Sequence, residues 1–378
     1  MHKNGISRRR VLQSIGATTA IGLAGCTGNT GDGGSGGDGG DGGDGGDGGS
    51  GGDGGSETVK AAWLYISEVG DLGWTWAHDQ GRKAVAEEFD WLETAHAEAV
   101  APADAERIVR EYTNQDYDIV FGTTFEYMDP MLAVAEENPD TRYEHCSGYK
   151  TADNMGRYFG RMYQARYLAG YAAGMVTEAN SLGYVAAFPI PEVLRGINAF
   201  AKGAADANGE ATVQVRWVNS WYDPPKEKEA AKALIDEGVD VMAQHQDSPA
   251  AVKAAAEAGI WATGYDAPMG EFAGESYLTS PIWHWDVFYG PTLQAVKDGS
   301  WEADAYWDGL SDGVIDLDEW GSEVPNEVQD AVAEKREAIE AGDLDVWAGT
   351  KFEGKEDGFL FGEMASYVEA VEGKVPSS

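Results

Sequence analysis

From Val59 onward, short apolar runs alternate with longer stretches in which apolar and polar positions recur at helical spacing. Val59–Ile66 precedes a helical stretch over Thr75–Phe89, Thr94–Val100 precedes Ala103–Tyr112, and Asp118–Thr123 precedes Asp129–Glu137. Arg142–Ser147 completes this group as a fourth strand. Short strands separated by amphipathic segments predict a parallel sheet covered by helices, because parallel strands need long crossovers. Asn154–Thr177 reads as one long helical segment. Arg157, Arg161 and Arg166 argue against its crossing a membrane. Ala169, Gly170 and Gly174 predict a close contact that offsets the low helix propensity of glycine.

The alternation then restarts. Gly183–Phe188, Thr212–Val218, Val239–Ala243 and Trp261–Gly264 read as strands, with helices near Glu192–Ala207, Lys226–Glu237 and Pro249–Ala258. Two similar α/β units in one chain predict two lobes with a cleft between them. Tyr277–Trp283 and the helical stretch Asp286–Lys297 are expected to return to the first lobe, so that several crossing segments form a hinge. The expected boundaries are 57–150 with 281–308 for the first lobe, 151–280 for the second, and 309–378 for a C-terminal capping segment. Within that last segment Val324–Glu340 reads as a charged surface helix, and Asp343–Gly349 and Phe359–Phe361 as edge or capping pieces.

The N-terminal residues carry other signals. Ser7-Arg8-Arg9-Arg10-Val11-Leu12 followed by a short apolar stretch resembles a twin-arginine export signal. Leu23-Ala24-Gly25-Cys26 resembles a lipobox, which makes Cys26 the expected lipidation site and residues 1–26 the signal. Residues 27–56 hold 18 glycines, mostly in Gly-Gly-Asp repeats with no large apolar residue. Such a tract has no core to form and is expected to be a disordered tether. The expected location is therefore the extracellular face of the cell membrane, held by a lipid anchor.

Charge narrows the partners. Only six of the 65 acidic residues lie in the tether, so nearly all of the chain's net charge of −38 belongs to the folded part. That surface repels nucleic acid phosphates and fits a chain adapted to concentrated salt, where screening weakens self-repulsion. Cys146 is the one cysteine beyond the leader, which leaves no internal disulfide and no cysteine metal cluster. His78, His96, His145, His245 and His284 lie in separate segments without zinc-ligand spacing. His245 with Asp247 could form an acid–base pair, but no Gly-x-Ser-x-Gly elbow or phosphate-binding loop accompanies it. No enzyme, cofactor or metal is expected, and the chain is expected to act as a monomer.

Ligands of parallel α/β sheets approach the C-terminal ends of the strands. The segments placed there are unusually rich in aromatic, carboxylate and amide groups: Val69 to Trp76, Thr124 to Asp129, Gln244 to Ser248, Gly264 to Asp266 and Ser280 to Trp285. Trp74 and Phe125 could sandwich a flat ring, with Asp71, Asp129, Gln246 or Asp266 reading its polar edge. Trp76, Trp283 and Trp285 have core or interlobe packing as an equal alternative to ligand contact.

Gly73-Trp74-Thr75 with Gly81, Tyr167-Leu168-Ala169-Gly170-Tyr171-Ala172-Ala173-Gly174 and Phe188-Pro189-Ile190-Pro191-Glu192-Val193 resemble the basic membrane protein family, the Med/PnrA-like substrate-binding lipoproteins. The resemblance covers Val59 to roughly Asp343. It implies an α/β, bilobed type I periplasmic-binding-protein fold, and delivery of a purine base or nucleoside to an ABC permease with a cytoplasmic ATPase. Family members often carry Asp-Lys-Ser-Phe-Asn in the first binding loop. Asp71 then matches the acid and Trp74 the stacking aromatic, while Thr75 replaces the asparagine. Phe125 and Asp129 fall where another aromatic and acidic contact are expected, and Asp266 resembles the acid that engages ribose. The tryptophan-rich loops favour a base or compact heterocycle over a full nucleoside. A membrane-tethered sensor for a signalling partner is the alternative.

Overall fold

The computed structural model describes residues 58–376. The export signal, Cys26 and the glycine tract therefore lie outside the described residues. Strands Val59–Leu64 (β1), Leu92–Ala97 (β2), Ile119–Gly122 (β3), Arg142–Cys146 (β4) and Met155–Gly160 (β5) belong to a first sheet. Ser181–Ala186 (β6), Thr212–Trp217 (β7), Val241–His245 (β8), Trp261–Thr263 (β9) and Tyr277–Thr279 (β10) form a second. Pro281–Trp283 (β11) lies outside both, and Ala305–Asp308 (β12) returns to the edge of the first sheet. Ile315–Leu317 (β13) pairs antiparallel with β11.

The first sheet runs β12-β5-β4-β3-β1-β2 and the second β10-β9-β8-β6-β7, with every neighbouring pair parallel. Helices flank both sheets, which is the doubly covered α/β architecture of a periplasmic binding protein. Buried strands such as Val59–Leu64 and Ile119–Gly122 read as nearly continuous apolar runs because both faces are covered.

Two expectations need correction. Asn154–Thr177 is not one helix. Met155–Gly160 is a strand between β4 and β12, and the helix spans Tyr163–Val176. Gly156 leaves room for the buried Glu144 carboxyl, and Gly160 for Trp283 and Ile315. Such glycines mark a close approach, and a period-3.6 reading of an apolar strand cannot detect it. Likewise, Tyr277–Trp283 is not a single return strand. Tyr277–Thr279 still pairs with β9 in the second sheet, whereas Pro281–Trp283 pairs with β13. Pro281 has no N–H to donate to a ladder, and the pairing changes there. Asp286–Asp298 does pack on the first-lobe helix Trp74–Glu88.

The small residues of the Tyr163–Val176 helix act as expected. A Cβ added at Gly170 or Gly174 would strike the backbone of the facing helix Pro191–Ala207, and one at Gly203 would strike back. At the chain's end, Asn326–Glu340 is helical, Phe359–Phe361 lies within a short helix over Asp357–Gly362, and Val371 bridges to Val213 on the edge of the second sheet. Among the described residues no helix is long and apolar enough to cross a membrane.

Candidate functional site

Seven strands end around one cavity of about 300 Å³. Ile66 and Ser67 follow β1, Thr124 to Glu126 follow β3, and Ser147 follows β4. From the second sheet come Phe188, Ile190 and Glu192 after β6, Asn219 to Tyr222 after β7, His245 to Asp247 around the end of β8, and Asp266 after β9. Parallel strands all deliver their C-terminal ends to the same side, so the loops of both lobes converge there.

The backbone is shaped for this purpose. Ser147, Asn219 and Asp266 each have positive φ, at 60°, 57° and 64°, and all three line the cavity. Non-glycine residues in the left-handed region are uncommon and cluster at functional sites.

Trp74 stands at the centre. Its backbone N–H donates to Asp247 at 2.9 Å and its indole N–H to the Thr123 carbonyl at 2.6 Å, which fixes the ring plane. Behind it, Trp283 and Trp285 are stacked at 4.5 Å, and both meet Trp74 edge-on at 5.6 Å. Trp285 also stacks on the buried His78 at 4.4 Å. Such pairs contribute about 0.5–1.5 kcal/mol each beyond area burial and make the wall rigid. Burial drives the His78 imidazole well below its usual range, so it is neutral, and its Nδ1 lies 2.6 Å from the Tyr289 hydroxyl.

The second lobe supplies polar groups. Gln246 is 1% exposed, and neither its amide nitrogen nor its amide oxygen has a partner among the described residues. His245 Nδ1 is also unpartnered, while Nε2 sits 3.7 Å from a Glu192 oxygen. The acid beside His245 is thus Glu192 rather than Asp247. Burial, with Arg166 and Arg195 nearby, holds His245 neutral. Loss of water pushes the Glu192 carboxyl up to about 7, against the pull of Arg195. Asp247 is raised to about 6 by burial, although the Trp74 N–H and a hydrogen bond with Asp266 favour its charge. Asp266 is raised further by burial and by the Asp247 charge, while Trp283 donates its indole N–H to it at 2.7 Å. Two buried carboxyl groups this close hold a proton between them.

Of the residues singled out in the sequence, Trp74, Phe125, Gln246 and Asp266 line the cavity. Asp71 lies in a separate outer recess of about 550 Å³ with Glu68, Lys253 and Phe272. Thr75 is buried and shares a 2.7 Å hydrogen bond with Ser67. Asp129 is 70% exposed and pairs with Lys150 at 2.6 Å, outside the cavity. Trp283 and Trp285 form the second layer behind Trp74. Sequence reasoning passed over Ser147 and Asn219 to Tyr222 as wall residues, and within Gln244 to Ser248 it singled out Gln246 but not Asp247. Their signal was position, since each follows the end of a parallel strand. Among the described residues there is no cluster of His, Cys, Asp or Glu suited to a metal ion.

Residues 58–345 match the family model described as ABC transporter substrate-binding protein, PnrA-like. The chain is 64% identical over 321 residues to a Haloferax volcanii protein named for glucose binding in an ABC transporter, covering 85% of this chain and 82% of that one. It is 40% identical over 333 residues to a purine-binding protein of Brucella abortus, covering 85% and 95%. A solved ABC-transporter solute-binding protein from Conexibacter woesei superimposes with a TM-score of 0.66 at 22% identity, over 76% of this chain and 98% of that one, and so shares the fold. The chain belongs to the Bmp family of PnrA-like ABC-transporter substrate-binding proteins, extracytoplasmic receptors that capture a solute for import and do no chemistry on it.

Proposed function

We propose that the captured solute is a purine base or nucleoside, and that the chain works from a lipid anchor at Cys26 on the outer face of the membrane. It passes its solute to a permease driven by a cytoplasmic ATPase. The observation that carries the purine reading is the Gln246 amide. Its donor and acceptor are both buried and unpartnered in a cavity lined by the aromatic residues Trp74, Phe125, Phe188 and Trp221. A side-chain amide matches the adjacent donor and acceptor on a purine edge, as it does when glutamine reads adenine. Aromatic rings supply the stacking surface for the flat heterocycle. Leaving such an amide unpaired costs about 1–3 kcal/mol, so a ligand that pairs it gains both affinity and selectivity.

A hexose is the second reading, favoured by the name of the Haloferax volcanii relative. The C–H face of a sugar also lies on tryptophan, and Asn219, Gln246 and Asp266 could pair with hydroxyls. Calorimetry in molar salt separates the two. Adenine, guanine, hypoxanthine, xanthine and their nucleosides are titrated beside glucose and galactose. One-to-one heat from a purine, with none from the sugars, is the expected result. Binding of glucose with no binding of any purine overturns the purine reading.

A further inference from the structure

The helix Trp74–Glu88 begins without a cap of its own. Its N-cap residue is Gly73, which has no side chain, and no acidic residue lies in the first turn. The first N–H groups of a helix have no partner within it, and they sit at the positive end of its dipole. Here the Trp74 N–H donates to the Asp247 carboxylate at 2.9 Å. Asp247 follows β8 of the second sheet, so the helix of one lobe is capped by a side chain of the other. The fit is tight. Gly73 has φ +89° and ψ −169°, and a Cβ placed there would lie 2.7 Å from the Asp247 Cβ and 2.9 Å from its carbonyl oxygen. Only glycine combines that backbone with so close an approach.

The contact also divides space. Trp74, Asp247, Ser67 and Tyr222 line both the solute cavity and the outer recess, and so stand between them. Asp247 is held from behind, with its N–H on the Trp221 carbonyl and its carboxyl against Asp266. It is therefore presented to the helix by a fixed loop rather than by a mobile side chain.

We propose that Gly73, Trp74 and Asp247 form the latch that holds the two lobes closed over the cavity, with Asp247 capping the first-lobe helix only when the lobes meet. Opening leaves the Trp74 N–H to water and separates the carboxylate from the helix dipole. Asp247 is then a positioning residue for closure, apart from any contact it makes with solute. Gly73 lines neither chamber, so a change there tests the latch without touching the ligand.

The test needs no solute. Spin labels are placed on the full chain at two exposed positions, Glu106→Cys on the first lobe and Glu229→Cys on the second. Distances are read by pulsed electron resonance in molar salt. The parent should show a dominant short-distance population. Asp247→Ala and Gly73→Ala should each move most molecules to longer distances, whereas Asp247→Asn, which keeps an oxygen acceptor, should stay near the parent. Circular dichroism establishes that each variant is folded. Unchanged distances in both alanine variants overturn the latch. So does an Asp247→Ala shift that Gly73→Ala fails to reproduce, which would mark Asp247 as a local support only.

Discussion

Trp283 donates its indole N–H to an Asp266 carboxylate oxygen at 2.7 Å, which ties a strand outside both large sheets to a residue of the cavity wall. Asp266 follows β9, and Trp283 ends β11, where the chain has just left the second sheet. The bond sets the orientation of a carboxyl group whose backbone is already held at positive φ. Trp283→Phe keeps most of the stack on Trp285 but removes the donor. Solute affinity should fall roughly 3- to 10-fold with the fold retained, in keeping with the net worth of one buried hydrogen bond. Unchanged affinity by calorimetry would show that Asp266 needs no such orientation.

Trp74 supplies a ring whose edges are fixed by Thr123 and by the tryptophan pair behind it. For an aromatic solute, Trp74→Ala should cost about 1–3 kcal/mol of binding, a loss of roughly 5- to 150-fold. Trp74→Phe retains a stacking face and should lose much less. If both variants bind purines as the parent does, the ring is a wall and not a stacking surface.

Much of this was legible in the sequence because strand spacing and loop position are one-dimensional signals. Alternating runs foretold two parallel sheets, and the rule that ligands sit beyond strand ends pointed to the loops from which Trp74, Phe125, Gln246 and Asp266 line the cavity. What failed was depth. Nothing in Asp71-Leu72-Gly73-Trp74-Thr75 shows that the first and last of these turn away from the cavity while the tryptophan enters it. Asp129 sits on the first turn of a helix beside Lys150, and that pairing arises from a residue 21 positions away. The same holds for Asp247. Its role depends on a helix end 173 positions earlier in the chain.

Gln246 offers a sharper test of the solute's chemistry than any aromatic. Gln246→Leu preserves bulk but removes donor and acceptor together, and should weaken purine binding about 10-fold or more. Gln246→Glu keeps acceptors alone. It should discriminate against bases that present an acceptor at that edge, so hypoxanthine and adenine should respond differently. Equal, small losses across all purines in both variants would place the amide away from the ligand's polar edge.

Stability should carry an unusual pH signature, because several carboxyl groups are buried without a cation. Glu144 lies in the interior of the first sheet and burial pushes it up to about 8, while Trp301 donates an indole N–H to it at 3.0 Å. Glu227 is likewise raised by burial to about 7. A folded-state pKa above the unfolded value means that the folded chain holds the proton more tightly. The stabilisation is complete below the unfolded pKa and is lost as pH rises through the folded one. Buried His78, His145 and His245 act the other way, but only once pH falls below the unfolded histidine range. Between about pH 7 and 8.5 the carboxyl groups therefore dominate, and the unfolding free energy should drop by on the order of 1 kcal/mol. Glu144→Gln cannot ionise and keeps an acceptor for Trp301. Its melting temperature should exceed the parent's at pH 8.5 and change less between the two pH values. A parent whose melting temperature is flat over that interval, or a glutamine variant that loses as much as the parent does, would show that Glu144 is not held protonated.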